Sequence, residues 1–134
     1  MPIKYEVTPR TILLCDYGKG GFRPPEMVKR RPVIAVSPRL RHRNGLVTVV
    51  PLSTTPPDRP AEHHCKVVIP YPLQNFEAKQ CWVKADMIAT VGFERLDLFR
   101  TDRDQLGKRK YLTPRISDED FEAVKACIRA ALGI

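Results

Sequence analysis

The sequence predicts a small, mainly antiparallel β domain that closes on a single C-terminal helix. Three observations carry that expectation. Thirteen prolines and seven glycines in 134 residues interrupt the chain too often for long helices. The β-branched runs are short and recurrent, as in Val33-Ile34, Val47-Thr48-Val49-Val50 and Val67-Val68-Ile69. Only the last stretch carries the start and stop signals of a helix.

Taken in order, residues 1–10 read as a loose N-terminal arm and 11–16 as a first buried strand. Residues 17–29 form a long loop with three glycines and Pro24-Pro25, a length typical of binding loops and flaps. Its Gly18-Lys19-Gly20-Gly21 lacks the G-x-x-x-x-G-K-[ST] spacing, as does the segment around Gly107-Lys108, so a nucleotide-binding P-loop is excluded. Residues 29–37, Lys-Arg-Arg-Pro-Val-Ile-Ala-Val-Ser, are half charge cluster and half strand. Pro32 cannot donate a ladder hydrogen bond and is expected at the strand's first position, which leaves Arg31 at the strand mouth. There its planar fork of donors suits a phosphate or carboxylate.

Arg39 and Arg41 then sit on a basic connection, and Asn44-Gly45 supplies a strong turn signal. Residues 45–52 read as a third strand antiparallel to the second, which brings Ser53-Thr54-Thr55 back towards Arg31. Hydroxyls at one strand's exit beside a guanidinium at its neighbour's mouth form the first constellation able to carry chemistry. Residues 56–62 are a polar loop, 66–69 a fourth strand stopped by Pro70, and 81–85 a fifth ended by Asp86. Trp82, inside an apolar strand, is expected in the core. Residues 87–91 continue as a short strand or turn, and 97–110 read as an exposed charged excursion. The closing helix takes Ser117 as N-cap with Asp120 three residues on and Gly133 as its stop. Phe121, Val124, Ile128, Ala131 and Leu132 fall on one face, so this helix anchors a sheet and carries no functional residue.

The length suits one domain spanning 1–134, and 43% hydrophobic content marks it as globular. No apolar run reaches the roughly 18 residues of a membrane span, and Met-Pro-Ile-Lys-Tyr-Glu lacks the core of a secretion signal. A cytoplasmic protein is expected. Cys15, Cys65, Cys81 and Cys127 show no C-x-x-C spacing and read as buried thiols. In His63-His64-Cys65 a strand would put only His63 and Cys65 on one face, too few ligands for zinc, so no metal is expected. The net charge is +8, yet residues 117–134 hold four acids against two bases, so the rest carries 21 − 11 = +10. That excess points to a polyanion such as nucleic acid, and no basic amphipathic helix suggests a membrane surface.

Four stretches in order resemble the PemK/MazF toxins of toxin–antitoxin systems. They are Lys-Arg-Arg-Pro-Val-Ile-Ala-Val-Ser, Asn-x-x-x-Val-x-Val-Val-Pro-Leu-Ser-Thr, Trp-Val-Lys-Ala-Asp-x-Ile-x-Thr-Val and the Ser-Asp-Glu-Asp start of the helix. The resemblance implies a small antiparallel β-barrel of the CcdB/MazF plasmid-maintenance type, Src homology 3-like, assembled as a homodimer. It also implies cleavage of single-stranded RNA at short sequences without metal or cofactor, leaving a 2′,3′-cyclic phosphate and a 5′-hydroxyl. The partner it implies is a cognate acidic antitoxin. Residue by residue, Arg31 matches the family's arginine before proline, Glu26 its loop acid, Ser53 a position often threonine, and Asp86 the acid of the Cys/Ala-Asp-Gln segment. Lys84 stands where some members have arginine, and a lysine neutralises phosphate only as a point charge. Arg31, Ser53, Glu26 and Asp86 are thus the catalytic candidates, with Lys29, Arg30, Thr54, Lys84, Arg39 and Arg41 for RNA binding. The alternative reading is a barrel that binds nucleic acid or protein without cutting, as a degenerate member or a CcdB-like inhibitor.

Overall fold

A computed structural model describes residues 2–18, 20–74 and 76–134, so Lys19 of the glycine-rich run lies outside the described residues. Among the described residues nine strands and one α-helix follow one another: β1 (Ile12–Asp16), β2 (Arg30–Ala35), β3 (Leu46–Ser53), β4 (His64–Val68), β5 (Gln80–Lys84), β6 (Ala89–Gly92), β7 (Leu96–Asp97), β8 (Phe99–Arg100), β9 (Tyr111–Leu112) and α1 (Asp118–Leu132). Seven strands make one antiparallel sheet in the order β4-β5-β3-β2-β1-β7, with β6 also paired to β3, while β8 and β9 form a separate ribbon. The wrap is barrel-like, and among the described residues no ladder joins β4 to β7.

β3 changes partners halfway along, and two prolines mark where. Its first half, Leu46 to Val49, pairs with β6, and its end, Leu52 and Ser53, pairs with β5. In an antiparallel strand successive amides point to opposite neighbours. Val36 donates to Thr48 in β3, and Ala35 donates to Thr11 on the β1 side, so even-numbered amides of β2 face β3. Pro32 is therefore missing the one that would reach Leu52, and the β2–β3 ladder ends at Val33↔Pro51. Pro51 in turn faces the gap between β6 and β5, across from the 3₁₀ turn Ala85–Met87 that joins them. Pro32 thus stands third in β2, not first as expected. The missing donor is tolerated there because it falls at the end of the β2–β3 ladder and not within it.

Two apolar clusters fill the wrap. Ile12, Ile34, Val50, Leu52, Val83 and Val124 belong to the one under α1, while Leu13, Cys15, Tyr17, Val33, Val49 and Leu96 belong to the other. Ser117 Oγ accepts the Asp120 amide at 3.1 Å, and Gly133 takes the left-handed conformation at φ 71°, where a side chain would be strained. The buried face of α1 contains Cys127, while Leu132 is 53% exposed. The N-terminal arm is not loose: Ile3 is 9% exposed and donates its amide to Leu96, and Arg10 donates to Ala35 while its guanidinium pairs with Asp118. Nor is 97–110 wholly exposed. Asp97 pairs with Leu14, and Phe99 is buried at 4% exposure, so the excursion begins only after β8.

At the open edge, β4 offers outward the amides of His64, Lys66 and Val68, since Ile69 donates inward to Lys79. His64 donates to Ala61 at 3.0 Å and Val68 to the Asp120 carboxylate at 2.9 Å. Among the described residues no helix is long and apolar enough to cross a membrane. Two substitutions test this packing by urea denaturation. Ile3→Ala should cost about 2 kcal/mol, which a loose arm would not, and Ser117→Ala should cost about 1 kcal/mol through loss of the cap.

Candidate active site

Where the β2–β3 ladder stops, a cleft of about 490 Å³ opens, lined among others by Arg30, Arg31, Pro32, Ser53 and Thr54. Carried two residues past Val33↔Pro51, the β2–β3 register places Arg31 across from Ser53. The hairpin therefore brings together the guanidinium and the hydroxyls that the sequence had placed near one another. Arg31 is half-buried and donates Nε to the Val28 carbonyl at 3.3 Å, which fixes the side chain while leaving most of its fork for a ligand. Ser53 Oγ accepts the Thr55 amide at 3.1 Å, a turn that holds the hydroxyl in place and still leaves its proton to donate. Behind Arg31 its β1 partner Cys15 is no nucleophile. Burial pushes that thiol up to about 12, more than the nearby Arg95 can offset.

The other candidates divide. Arg30 lines the cleft but is paired with Asp97 at 3.5 Å, and Lys29 is exposed at φ 68° where its carbonyl receives the Tyr17 amide and closes the base of the loop. Glu26 lies on the exposed part of that loop, its carboxylate accepting the Arg23 amide at 3.4 Å, and is not among the residues lining the cleft. Asp86 sits in the turn after β5, exposed and away from the cleft lining, and Lys84 lies across from His64. Arg39 and Arg41 lie beyond the opposite end of β2 from Arg31. They line a separate groove of about 970 Å³ against the N-terminal arm.

Sequence reasoning missed three features. Arg95 donates to the carbonyls of Asp16 and Tyr17 at 3.1 and 3.4 Å and lies 4.7 Å from the Phe22 ring, so it pins the first part of the loop. Gly20 there has φ +81°, and a Cβ would stand 3.2 Å from Arg95 Nη2. His63 and His64 meet Asp86, their ligand atoms within 4.8 Å of one another, whereas Cys65 turns to the core, contrary to the expected His63–Cys65 face. His64 Nδ1 accepts the Ala61 amide at 3.1 Å, so its proton resides on Nε2 and the ring as placed has no lone pair for an ion. Partial burial, with His63 and Lys84 beside it, holds the His64 pKa below its ordinary value. Trp82, expected in the core, belongs to neither apolar cluster. Cys81 and Val83 take the inward positions of β5, and alternation turns the indole out.

A sequence model of the PemK-like, MazF-like toxins of type II toxin–antitoxin systems matches residues 8–132. The chain is 29% identical to the uncharacterized protein YifN of Escherichia coli K12, over 81% of this chain and 83% of YifN. An endoribonuclease of a mycobacterial species, solved in complex with its cognate antitoxin, superposes with a TM-score of 0.64 at 22% identity over 96% of this chain and 97% of that one. MazF from Deinococcus radiodurans gives 0.63 at 16% identity, over 98% and 100%. These structural likenesses carry the fold, and the sequence match over nearly the whole length carries descent: the chain belongs to the PemK-like, MazF-like toxins of type II toxin–antitoxin systems.

Proposed function

We propose that this protein is a toxin-type endoribonuclease that cleaves single-stranded RNA at short sequences through the RNA's own 2′-hydroxyl. The observation that carries the reading is the meeting of Arg31 with Ser53 and Thr54 in one open cleft. Attack by a 2′-oxygen on the adjacent phosphorus forms a 2′,3′-cyclic phosphate and expels a 5′-oxygen. The step asks for charge on the phosphorane, a proton for the leaving oxygen and a base for the nucleophile. Arg31 supplies the charge and is the candidate proton donor to the leaving oxygen, and the Ser53 hydroxyl donates to a non-bridging oxygen. Because the nucleophile belongs to the substrate, no metal-bound water is needed. Glu26 or Asp86 is the base. Since no carboxylate or imidazole lines the cleft among the described residues, that base must approach with the 17–29 loop or from the β5 turn. The same observation favours, as the second reading, a barrel that binds without cutting.

An RNA gel separates the two. Cleavage should persist in EDTA, vanish in Arg31→Ala and recover poorly in Arg31→Lys, which restores charge without the fork. Of Glu26→Gln and Asp86→Asn, the variant that removes the base should lose about 10²–10⁴-fold in rate. Wild-type rates in Arg31→Ala would sink the assignment.

The reading extends to assembly. A symmetric homodimer would join two such clefts into one RNA groove, two-fold closure being the commonest oligomer form. Light scattering at micromolar concentration should give twice the 15.3 kDa chain mass, and a monomer would count against it.

The partner is a small antitoxin whose acidic, disordered segment folds across the 17–29 loop and covers Arg31. A body with +10 excess charge recruits such a chain as it recruits RNA. RNA affinity of the Arg31→Ala protein should therefore fall steeply between low and physiological salt. A flat response would remove the electrostatic basis for both ligands.

A further inference from the structure

The chain's one tryptophan stands on the solvent side of the sheet beside the cleft. Trp82 has Ser53 directly across from it in β3 and Lys66 directly across in β4. Cross-strand partners project from the same face with their Cα atoms about 5 Å apart. Lys66 Nζ lies 5.0 Å from the centre of the ring, and Lys84, on the same face one step along β5, has His64 as its own partner. An indole here is thus flanked by the hydroxyl that lines the cleft and by two ammonium groups. The groups beside it on this face, Ser53, Lys66 and Lys84, are suited to phosphate or sugar oxygens.

We infer that Trp82 is a base-stacking platform for the nucleotide next to the scissile phosphate of single-stranded RNA, with Lys66 and Lys84 holding the flanking phosphates. The inference rests on the endoribonuclease reading of the Arg31–Ser53 cleft and adds a subsite to it. In the free chain the Lys66 ammonium covers the ring. A base takes that place as its phosphate draws the lysine aside, exchanging a cation–π contact for stacking. Because every base has a π face, this subsite contributes affinity without choosing the sequence that is cut.

The single indole makes the test direct. Wild-type protein is titrated with a mixed-sequence 2′-O-methyl RNA decamer, which lacks the nucleophilic hydroxyl and stays intact. Anisotropy of a 5′ label reports binding, and indole emission with the unlabelled decamer reports stacking. Emission should be strongly quenched with the same midpoint as the anisotropy, and inorganic polyphosphate of matched charge, which can draw Lys66 off the ring but cannot stack on it, should not quench it. Trp82→Ala, its fold checked by circular dichroism, should bind about ten-fold more weakly whatever the sequence, with Trp82→Phe losing less and the cleavage pattern on natural RNA unaltered. Binding with unchanged emission overturns the platform and leaves the nuclease reading standing, as does equal quenching by polyphosphate. No binding at all overturns both.

Discussion

Two absent amide hydrogens govern this molecule. Pro32 ends the β2–β3 ladder at Val33↔Pro51, and Pro51 marks where β3 leaves β6 for β5. Had Pro32 been able to donate, hydrogen bonding would continue towards Leu52 and draw together the strand ends that now line the cleft. Instead the ladder stops at Val33↔Pro51, and Arg31 and Ser53 line the space beyond it. Rigidity comes from the paired portion behind them, where Val33, Ile34, Val49 and Val50 are fully buried. A site built on strand ends backed by such a core needs little reorganisation when a ligand arrives.

The loop that leads into Arg30 and Arg31 is held unevenly. Its near end is fastened by Arg95 to two carbonyls and to Phe22, and its base is closed by the Tyr17–Lys29 hydrogen bond. Between these anchors Arg23, Pro24, Pro25 and Glu26 are exposed or nearly so. Any motion that delivers Glu26 towards Arg31 is thus confined to the far half of the loop. Arg95 bonds the carbonyls of Asp16 and Tyr17 and packs on Phe22, so what it holds in place is the start of the loop.

What could be read from the sequence followed from local chemistry. The cap and stop of α1 and the antiparallel return of Ser53 towards Arg31 depend on residues near one another in the chain, and each is present. The hydrogen-bonded turn between β2 and β3, by contrast, falls at residues 40–43, with His42 at φ 62°, and not at Asn44-Gly45. The arm and β7 were obscure because Ile3 and Leu96 are stabilised by each other, some ninety positions apart. Trp82 was misread although the signal was there: with Cys81 and Val83 inward, alternation puts position 82 outward. Glu26 and Asp86 were harder, since a long loop and a 3₁₀ turn aim their side chains by contacts that no periodicity encodes. The meeting of His63, His64 and Asp86 likewise depends on the β4–β5 pairing bringing a turn beside a strand start.

The open edge of the sheet has a consequence for how this protein meets other chains. Of the three outward amides of β4, Ala61 occupies that of His64 and the helix carboxylate Asp120 that of Val68, leaving Lys66 as the donor available among the described residues. A foreign strand laid along β4 would find one free amide donor where it needs several, next to a charged side chain. Self-templated fibre growth is discouraged at this edge by the same acid that begins the helix. A peptide pairing along β4 would first have to displace the Ala61 carbonyl from the His64 amide and the Asp120 carboxylate from the Val68 amide before a full ladder could form.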